Sequence, residues 1–158
     1  MNRFEATNHS EAVVAADREA IWAALTDPDV LPRLTPLLRS IDTDGDLWRW
    51  HLTRFTILGI GLAPCFTERM RFDAPDRIEY AHQPSGRGEP AGADGWYVLS
   101  EADQGTRLEI KLTMHVDLPL ARAARPAVTG VMRSMMQHTG DRFASNLLRH
   151  LKAPAGQR

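Results

Sequence analysis

The sequence predicts an α+β chain: a curved antiparallel sheet of about seven strands wrapped around one long C-terminal helix, with two short helices after the first strand. Three observations carry this. From Ala127 to Leu151 the larger apolar positions recur at helical spacing, at Val128, Val131, Met132, Met135, Met136, Phe143, Leu147 and Leu151. Most of the chain between residues 40 and 118 reads as short strands separated by turn residues. Near the start, Asp27-Pro28-Asp29 interrupts a helical pattern and divides it in two. A length of 158 residues suggests one domain, expected over residues 1–152 with 153–158 as a flexible tail. Such a chain buries roughly 70% of its unfolded surface on folding and needs no metal or disulfide staple.

The elements follow in order. Residues 5–16 read as a strand ending in Ala12-Val13-Val14-Ala15-Ala16. Asp17 stands at an N-cap, but Ala20 occupies the slot where a capping box needs Glu or Gln. Ile21, Trp22 and Leu25 make a short first helix. Asp27 caps a second, with Val30, Leu31 and Leu34 inward and Pro36 near its end. Thr43-Asp44-Gly45-Asp46 is a turn, Leu47 to Thr53 alternates, and a Gly-punctuated apolar stretch runs from Phe55 to Pro64. Phe66 to Phe72 alternates again, and Ala74-Pro75-Asp76 turns into a strand from Arg77 to His82. Pro84 to Gly95, rich in Pro and Gly, reads as a long mobile loop. Trp96 to Glu101 is a strand, Asp103-Gln104-Gly105 a hairpin turn, and Arg107 to Val116 the clearest strand of all. Pro119 ends it, and Pro126 lies in the first part of the terminal helix.

Composition excludes several classes of function. Net charge is −1 and basic residues are spread along the chain, so no phosphate-binding footprint is present and a nucleic-acid partner is not expected. Cys65 is the one cysteine; it permits no internal disulfide and fits a reducing, cytoplasmic compartment. Met1 to Ala12 lacks the apolar core of a signal peptide. The longest apolar run, Phe55 to Phe66, falls short of the about 20 residues a membrane span needs, so no stable membrane insertion is expected. No H-x-x-x-H or C-x-x-C spacing suggests a metal, no G-x-S-x-G or phosphate loop appears, and Gly59-Ile60-Gly61 lacks the third glycine of a dinucleotide fingerprint. No cofactor is expected.

Strand alternation sorts the faces. Leu108, Ile110, Leu112, Met114 and Val116 share one face, against Arg107, Glu109, Lys111, Thr113, His115 and Asp117. By the same parity Trp48, Trp50 and Leu52 fall together, as do Phe66, Glu68, Met70 and Phe72, then Ile78, Tyr80 and His82, then Trp96, Val98 and Ser100. The inner face is thus apolar with a few polar atoms, the character of a small-molecule site.

The run Val14-Ala15-Ala16-Asp17-Arg18-Glu19-Ala20-Ile21-Trp22, followed by Leu25-Thr26-Asp27-Pro28-Asp29-Val30-Leu31, resembles the opening of the START-like, SRPBCC superfamily, the polyketide cyclase/dehydrase and birch-pollen-allergen group. The Gly59/Gly61 segment and Gly95-Trp96-Tyr97 are compatible with it. The resemblance implies a helix-grip fold with a cavity between the sheet and the last helix. It further implies an apolar ligand such as a lipid, sterol or polyketide, enzymatic activity in some members and partner-protein surfaces in others. It transfers no catalytic residue.

Glu68 and His82 are the candidate catalytic residues. Glu68 would be a carboxyl group in an apolar cavity, raised in pKa and able to act as general acid or base; its bland reading is an ion pair with Arg69 or Arg71. His82 would bind a ligand's polar end or shuttle a proton, against a solvated histidine at a strand end. The expected ligand-binding set is Trp48, Trp50, Glu68, Met70, Tyr80, His82, Trp96, Met114, Met132, Met135, Met136 and Phe143. Indoles offer wide apolar surface with one donor, and Met adapts to varied guests, but both also serve as ordinary packing. Cys65 reads as a small buried hydrophobe. Gly130 and Gly140 weaken the helix, letting it bend or pack close.

Three readings stay open: a binding or transport module for a small hydrophobic molecule; an aromatic cyclase or dehydratase using Glu68 and His82; and a protein-interaction module. In the last, the exposed side of Phe55 to Leu62 would dock a partner or close a homodimer.

Overall fold

The structure, a computed structural model, describes residues 1–85 and 88–152. The expected tail, 153–158, lies outside the described residues. Strand β1 (Asn2–Val14) is followed by helices α1 (Arg18–Leu25) and α2 (Leu31–Leu34). Then come β2 (Leu38–Asp44), β3 (Leu47–Leu52), β4 (Phe55–Ile57), β5 (Ile60–Leu62), β6 (Cys65–Asp73), β7 (Arg77–His82), β8 (Ala91–Ala102) and β9 (Gly105–Leu118). A single 3-10 turn at Arg122–Ala124 leads into α3 (Arg125–Lys152). One antiparallel sheet of seven strands has the order β1-β9-β8-β7-β6-β3-β2.

Local chemistry explains the joints. Asp17 sits at the N-cap of α1 without a side-chain hydrogen bond, as the missing box partner leads one to expect. Asp27 Oδ1 accepts the N–H groups of Asp29 and Val30 and so starts the second helical turn. Gly105 closes the β8–β9 hairpin at φ 139°, where a side chain would strike the Val14 carbonyl.

The sheet has the expected number of strands with a different membership. Leu38–Asp44 is a strand that the sequence does not mark, because a register shift between Leu38 and Ser40 breaks its alternation and only Leu38 and Ile41 are buried. The apolar Phe55–Leu62 stretch leaves the main sheet and forms its own hairpin, turning through Leu58 and Gly59 with positive φ at both. Ile57 is buried while Leu58 stands exposed at the tip. The expected mobile loop from Pro84 to Gly95 is shorter than it reads. Ala91 to Gly95 are paired strand, with Ala91 opposite Val116 and Gly95 opposite Leu112. Small residues hide the alternation there. Residues 86 and 87 of that loop lie outside the described residues.

Helix α3 buries Val128, Met132, Met136, Phe143 and Leu147, with Val131, Met135 and Leu151 partly covered. It packs chiefly on β1, α2, α1 and β4. Asn146 Nδ2 donates to the Leu34 carbonyl and ties it to α2. Neither glycine of α3 serves a close approach: a Cβ at Gly130 meets nothing within 4 Å, and one at Gly140 only Asn8 Nδ2 at 3.8 Å.

Register continues the faces from strand to strand. Trp48, Glu68 and His82 are successive cross-strand neighbours. So are Met70, Tyr80, Gly95 and Leu112, and so are Phe72, Ile78, Tyr97 and Ile110. Tyr97 and Leu99 therefore face inward, while Trp96, Val98 and Ser100 face outward. This corrects the expected parity of the strand after Gly95. The error is physical in origin: both faces of residues 96–99 are apolar, so alternation carries no sign there.

The inner face is covered unevenly. At its ends Leu99, Leu108, Val116 and Leu118 are buried. Midway along β8 and β9, Tyr97, Ile110, Leu112 and Met114 are only partly covered, as is Trp50 on β3, across β7 and β6. On α3, Val131 and Met135 are also half-buried.

Candidate functional site

Strand β6 places Glu68 on the inner face, 2% exposed, between Trp48 and His82. Its Oε2 has no hydrogen-bond partner. Burial first, and then the nearby Asp94, push this carboxyl well above its ordinary range, which favours the protonated form. The bland ion-pair reading does not occur. Arg69 faces outward to Asp46 at 2.6 Å and Gln83 at 2.8 Å, and Arg71 to Glu79 at 3.6 Å.

Trp50 lies diagonally across the β3–β6 pair from Glu68, opposite Phe66. Its ring is tilted against Trp48 at 6.1 Å, and its buried Nε1 also lacks a partner. A buried donor left unpaired costs about 1–3 kcal/mol, so two such groups on one apolar face are chemically informative. Trp48 and Met70 are buried beside them, at 4% and 3% exposure.

Tyr80 is held differently. Its hydroxyl donates to the Lys111 carbonyl at 3.0 Å, crossing over Gly95. A Cβ at Gly95 would strike both the hydroxyl and that carbonyl, so this position requires glycine. Burial raises the Tyr80 phenol well above its usual range, and that of its neighbour Tyr97 as well. The Tyr80 ring lies 5.6 Å from that of Tyr97.

His82 is not a solvated strand end. Its side chain is 7% exposed and its Nε2 bonds Glu89 Oε1 at 2.9 Å. The Glu89 carboxylate also accepts the Thr67 N–H at 3.0 Å, the Thr67 hydroxyl at 2.8 Å and the Ser85 hydroxyl at 2.8 Å. Burial alone would raise the Glu89 carboxyl, but the bonds from Thr67, His82 and Ser85 together bring it down to about 2. The cluster fills the place where the β7–β8 ladder stops at Tyr80 and Gly95 while β8 continues along β9. There Asp94 Oδ1 accepts the His82 N–H.

His115, expected on the wet face, is 5% exposed, with its ring 4.9 Å from that of His82 and its Nε2 unpartnered. Burial, and then Arg3 and His82, lower its pKa. Both rings fit because Gly92 has no side chain between them. Sequence reading missed Glu89 and His115. An acid inside a Pro/Gly-rich loop has no alternation to place it, and His115 is buried by a neighbouring ring rather than by its own strand's pattern.

Met114 on β9 and Met135 on α3 are half-buried, while Met132, Met136 and Phe143 are buried along α3. Trp96, expected among the ligand-binding residues, is corrected to the convex face. It packs edge-on to His9 at 5.8 Å, under the Arg77 guanidinium at 5.3 Å. A depression of about 500 Å³ on that face is lined by Asp46, Arg69, Arg71, Glu79 and Trp96. Its charges pair with one another and leave no unmatched group for a ligand. Cys65 is half-buried, and its Sγ accepts the Arg49 Nε–H at 2.9 Å. Among the described residues no three His, Cys, Asp or Glu side chains converge as metal ligands. Among the described residues no helix is long and apolar enough to cross a membrane.

Residues 5–151 match the sequence profile of the family described as polyketide cyclase / dehydrase and lipid transport. No curated protein matches the chain. Among solved structures, a conserved protein from Geobacillus kaustophilus superposes with a TM-score of 0.70 at 14% identity, over 92% of this chain and 94% of that one. The Zhui aromatase/cyclase from Streptomyces sp. R1128 gives 0.67 at 15% identity, over 98% and 99%. A START superfamily protein from Mycobacterium smegmatis gives 0.66 at 17% identity, over 92% and 97%. At these identities the likeness is one of fold.

Proposed function

The chain belongs to the polyketide cyclase / dehydrase and lipid transport family, and from that premise we propose that it binds a small hydrophobic molecule between the sheet and α3. The observation that carries this reading is the uneven cover of the inner face. An ordinary core strand is covered along its whole inner face. Here the central strands β6 and β7 are covered at Met70, Ile78 and Tyr80, but midway along β9 and β8 Ile110, Leu112, Met114 and Tyr97 are left partly uncovered between buried Leu108 and Val116, as is Trp50 on β3. On α3, Met135 and Val131 are half-buried as well. Flexible Met and flat indole surfaces suit an apolar guest of variable outline.

Native mass spectrometry of the freshly purified protein is the direct test, with a co-purifying small molecule as the expected result. Added apolar aromatics should stabilise the fold by about 2.7 kcal/mol at a hundred times their Kd. A protein free of any adduct, whose melting temperature no apolar compound shifts, would sink the proposal.

One observation favours a second reading, an enzyme of the aromatic cyclase or dehydratase type. Burial raises the Glu68 carboxyl well above its ordinary range, which favours the protonated state a general acid needs. His82 is a weaker participant, because its Nε2 is committed to Glu89. In this reading Glu68→Gln abolishes turnover of a polyketide-like chain and leaves its binding intact. Equal loss of both assigns Glu68 to structure or binding alone.

A further inference from the structure

We propose that the molecule held between sheet and helix is neutral and carries a carbonyl oxygen, as in a ketone, quinone or lactone, which accepts hydrogen bonds from Glu68 and Trp50. The inference rests on the binding reading above and names the chemistry of its ligand. Two buried side-chain atoms on the inner face lack partners, Glu68 Oε2 and Trp50 Nε1. They belong to residues diagonal across one antiparallel pair, Trp48 opposite Glu68 and Trp50 opposite Phe66. Diagonal neighbours lie about 7–8 Å apart, within joint reach of one small group.

The indole N–H is a donor and nothing else. A carboxyl group buried between Trp48 and a His82 already committed to Glu89, with no Lys or Arg among the buried residues, favours its protonated form and is a donor too. Two donors call for an acceptor, and a carbonyl oxygen has two lone pairs to offer them. A charged guest fits poorly. Among the described residues the buried polar ones are Thr67, Glu68, Thr106 and His115, joined by the buried side chains of His82 and Glu89, which pair with each other; no Lys or Arg is among them to balance a carboxylate or phosphate. An ammonium could pair with an ionised Glu68, yet it would meet the Trp50 N–H donor to donor.

A matched series of probes tests this: tetralin, 1-tetralone, 1-aminotetralin and tetralin-1-carboxylic acid, titrated by calorimetry at pH 7. The wild type should bind 1-tetralone at least tenfold more tightly than tetralin. Glu68→Leu should bring the two within about twofold, and Glu68→Gln, whose amide still donates, should keep most of the preference. If Glu68→Leu fails to fold, Trp50→Phe carries the test; it retains the aromatic bulk, loses the donor and should cut the preference at least threefold. Equal affinity of wild type for tetralin and 1-tetralone would overturn the inference and leave the binding reading standing. Tightest binding of the amine or the acid would overturn it as well. Binding of none of the four, tetralin included, overturns the cavity reading and this inference with it.

Discussion

Glu89 gathers four hydrogen bonds onto one buried carboxylate, from the Thr67 N–H, the Thr67 hydroxyl, His82 and Ser85. Its carboxyl binds a proton at about 2 in the folded chain, against 4.5 as the ordinary value. A depressed carboxyl stabilises the fold above the unfolded value, and that contribution is lost as pH falls from 4.5 toward 2. Glu89→Ala should therefore cost about 3 kcal/mol at pH 7 in chemical denaturation, with the deficit shrinking below pH 4. Glu68 works in the opposite sense, because its folded value is raised. Its contribution is intact below the unfolded value near 4.5 and is lost as pH rises, by up to about 1.4 kcal/mol per unit until the folded group ionises too. Glu68→Gln should thus gain on the wild type between pH 5 and 8; a constant difference across that range would refute the buried-acid assignment. Trp50→Ala should weaken ligand binding at least tenfold while Trp96→Ala leaves it unchanged, since the two indoles lie on opposite faces. Glu68 was legible in the sequence because Phe66 to Phe72 alternates clearly against Arg69 and Arg71. Trp96 was not, because Trp96-Tyr97-Val98-Leu99 offers two apolar faces and register alone decides between them.

Among the elements, α3 shows most plainly which sequence signals survive folding. Its apolar stripe is periodic enough to place the helix within two residues at its start, Ala127 expected against Arg125 observed. Its two glycines have no packing reason, since a Cβ at either position meets open space or one distant amide. Gly130→Ala and Gly140→Ala should each raise stability by about 0.5–1 kcal/mol, measured as an upward shift of the denaturation midpoint. If the double variant is stabilised but binds ligand less well, the helix bends to admit its guest. The strands divide by the kind of information they contain. β6 and β9 alternate and were visible. β2 carries a bulge and few buried residues, and the first half of β8 is Ala, Gly and Asp. Both are defined by partners distant in sequence, so no local pattern announces them.

At the scale of the whole molecule, the fold was legible because the order of strands, short helices and one terminal helix constrains the architecture even where single boundaries shift. The wall between helix and sheet is anchored by fully covered residues such as Phe143 and Leu147. Phe143→Ala should cost about 3–5 kcal/mol, whereas Met135→Leu, at a half-buried and roughly isosteric site, should cost less than about 1.5 kcal/mol; thermal melts distinguish the two. β1 lies at one edge and pairs only with β9, Asn2 meeting Leu118 and Val14 meeting Thr106. Within this sheet the earliest strand in the sequence is thus matched to the latest. At about 5–20 residues per second, synthesis keeps β1 waiting for several seconds with its ladder unpaired. Long-range pairing of this kind slows folding and exposes strand edges meanwhile. A nascent chain arrested before Gly105 would be a natural client for a chaperone, and would remain one until the final strand arrives to close the edge.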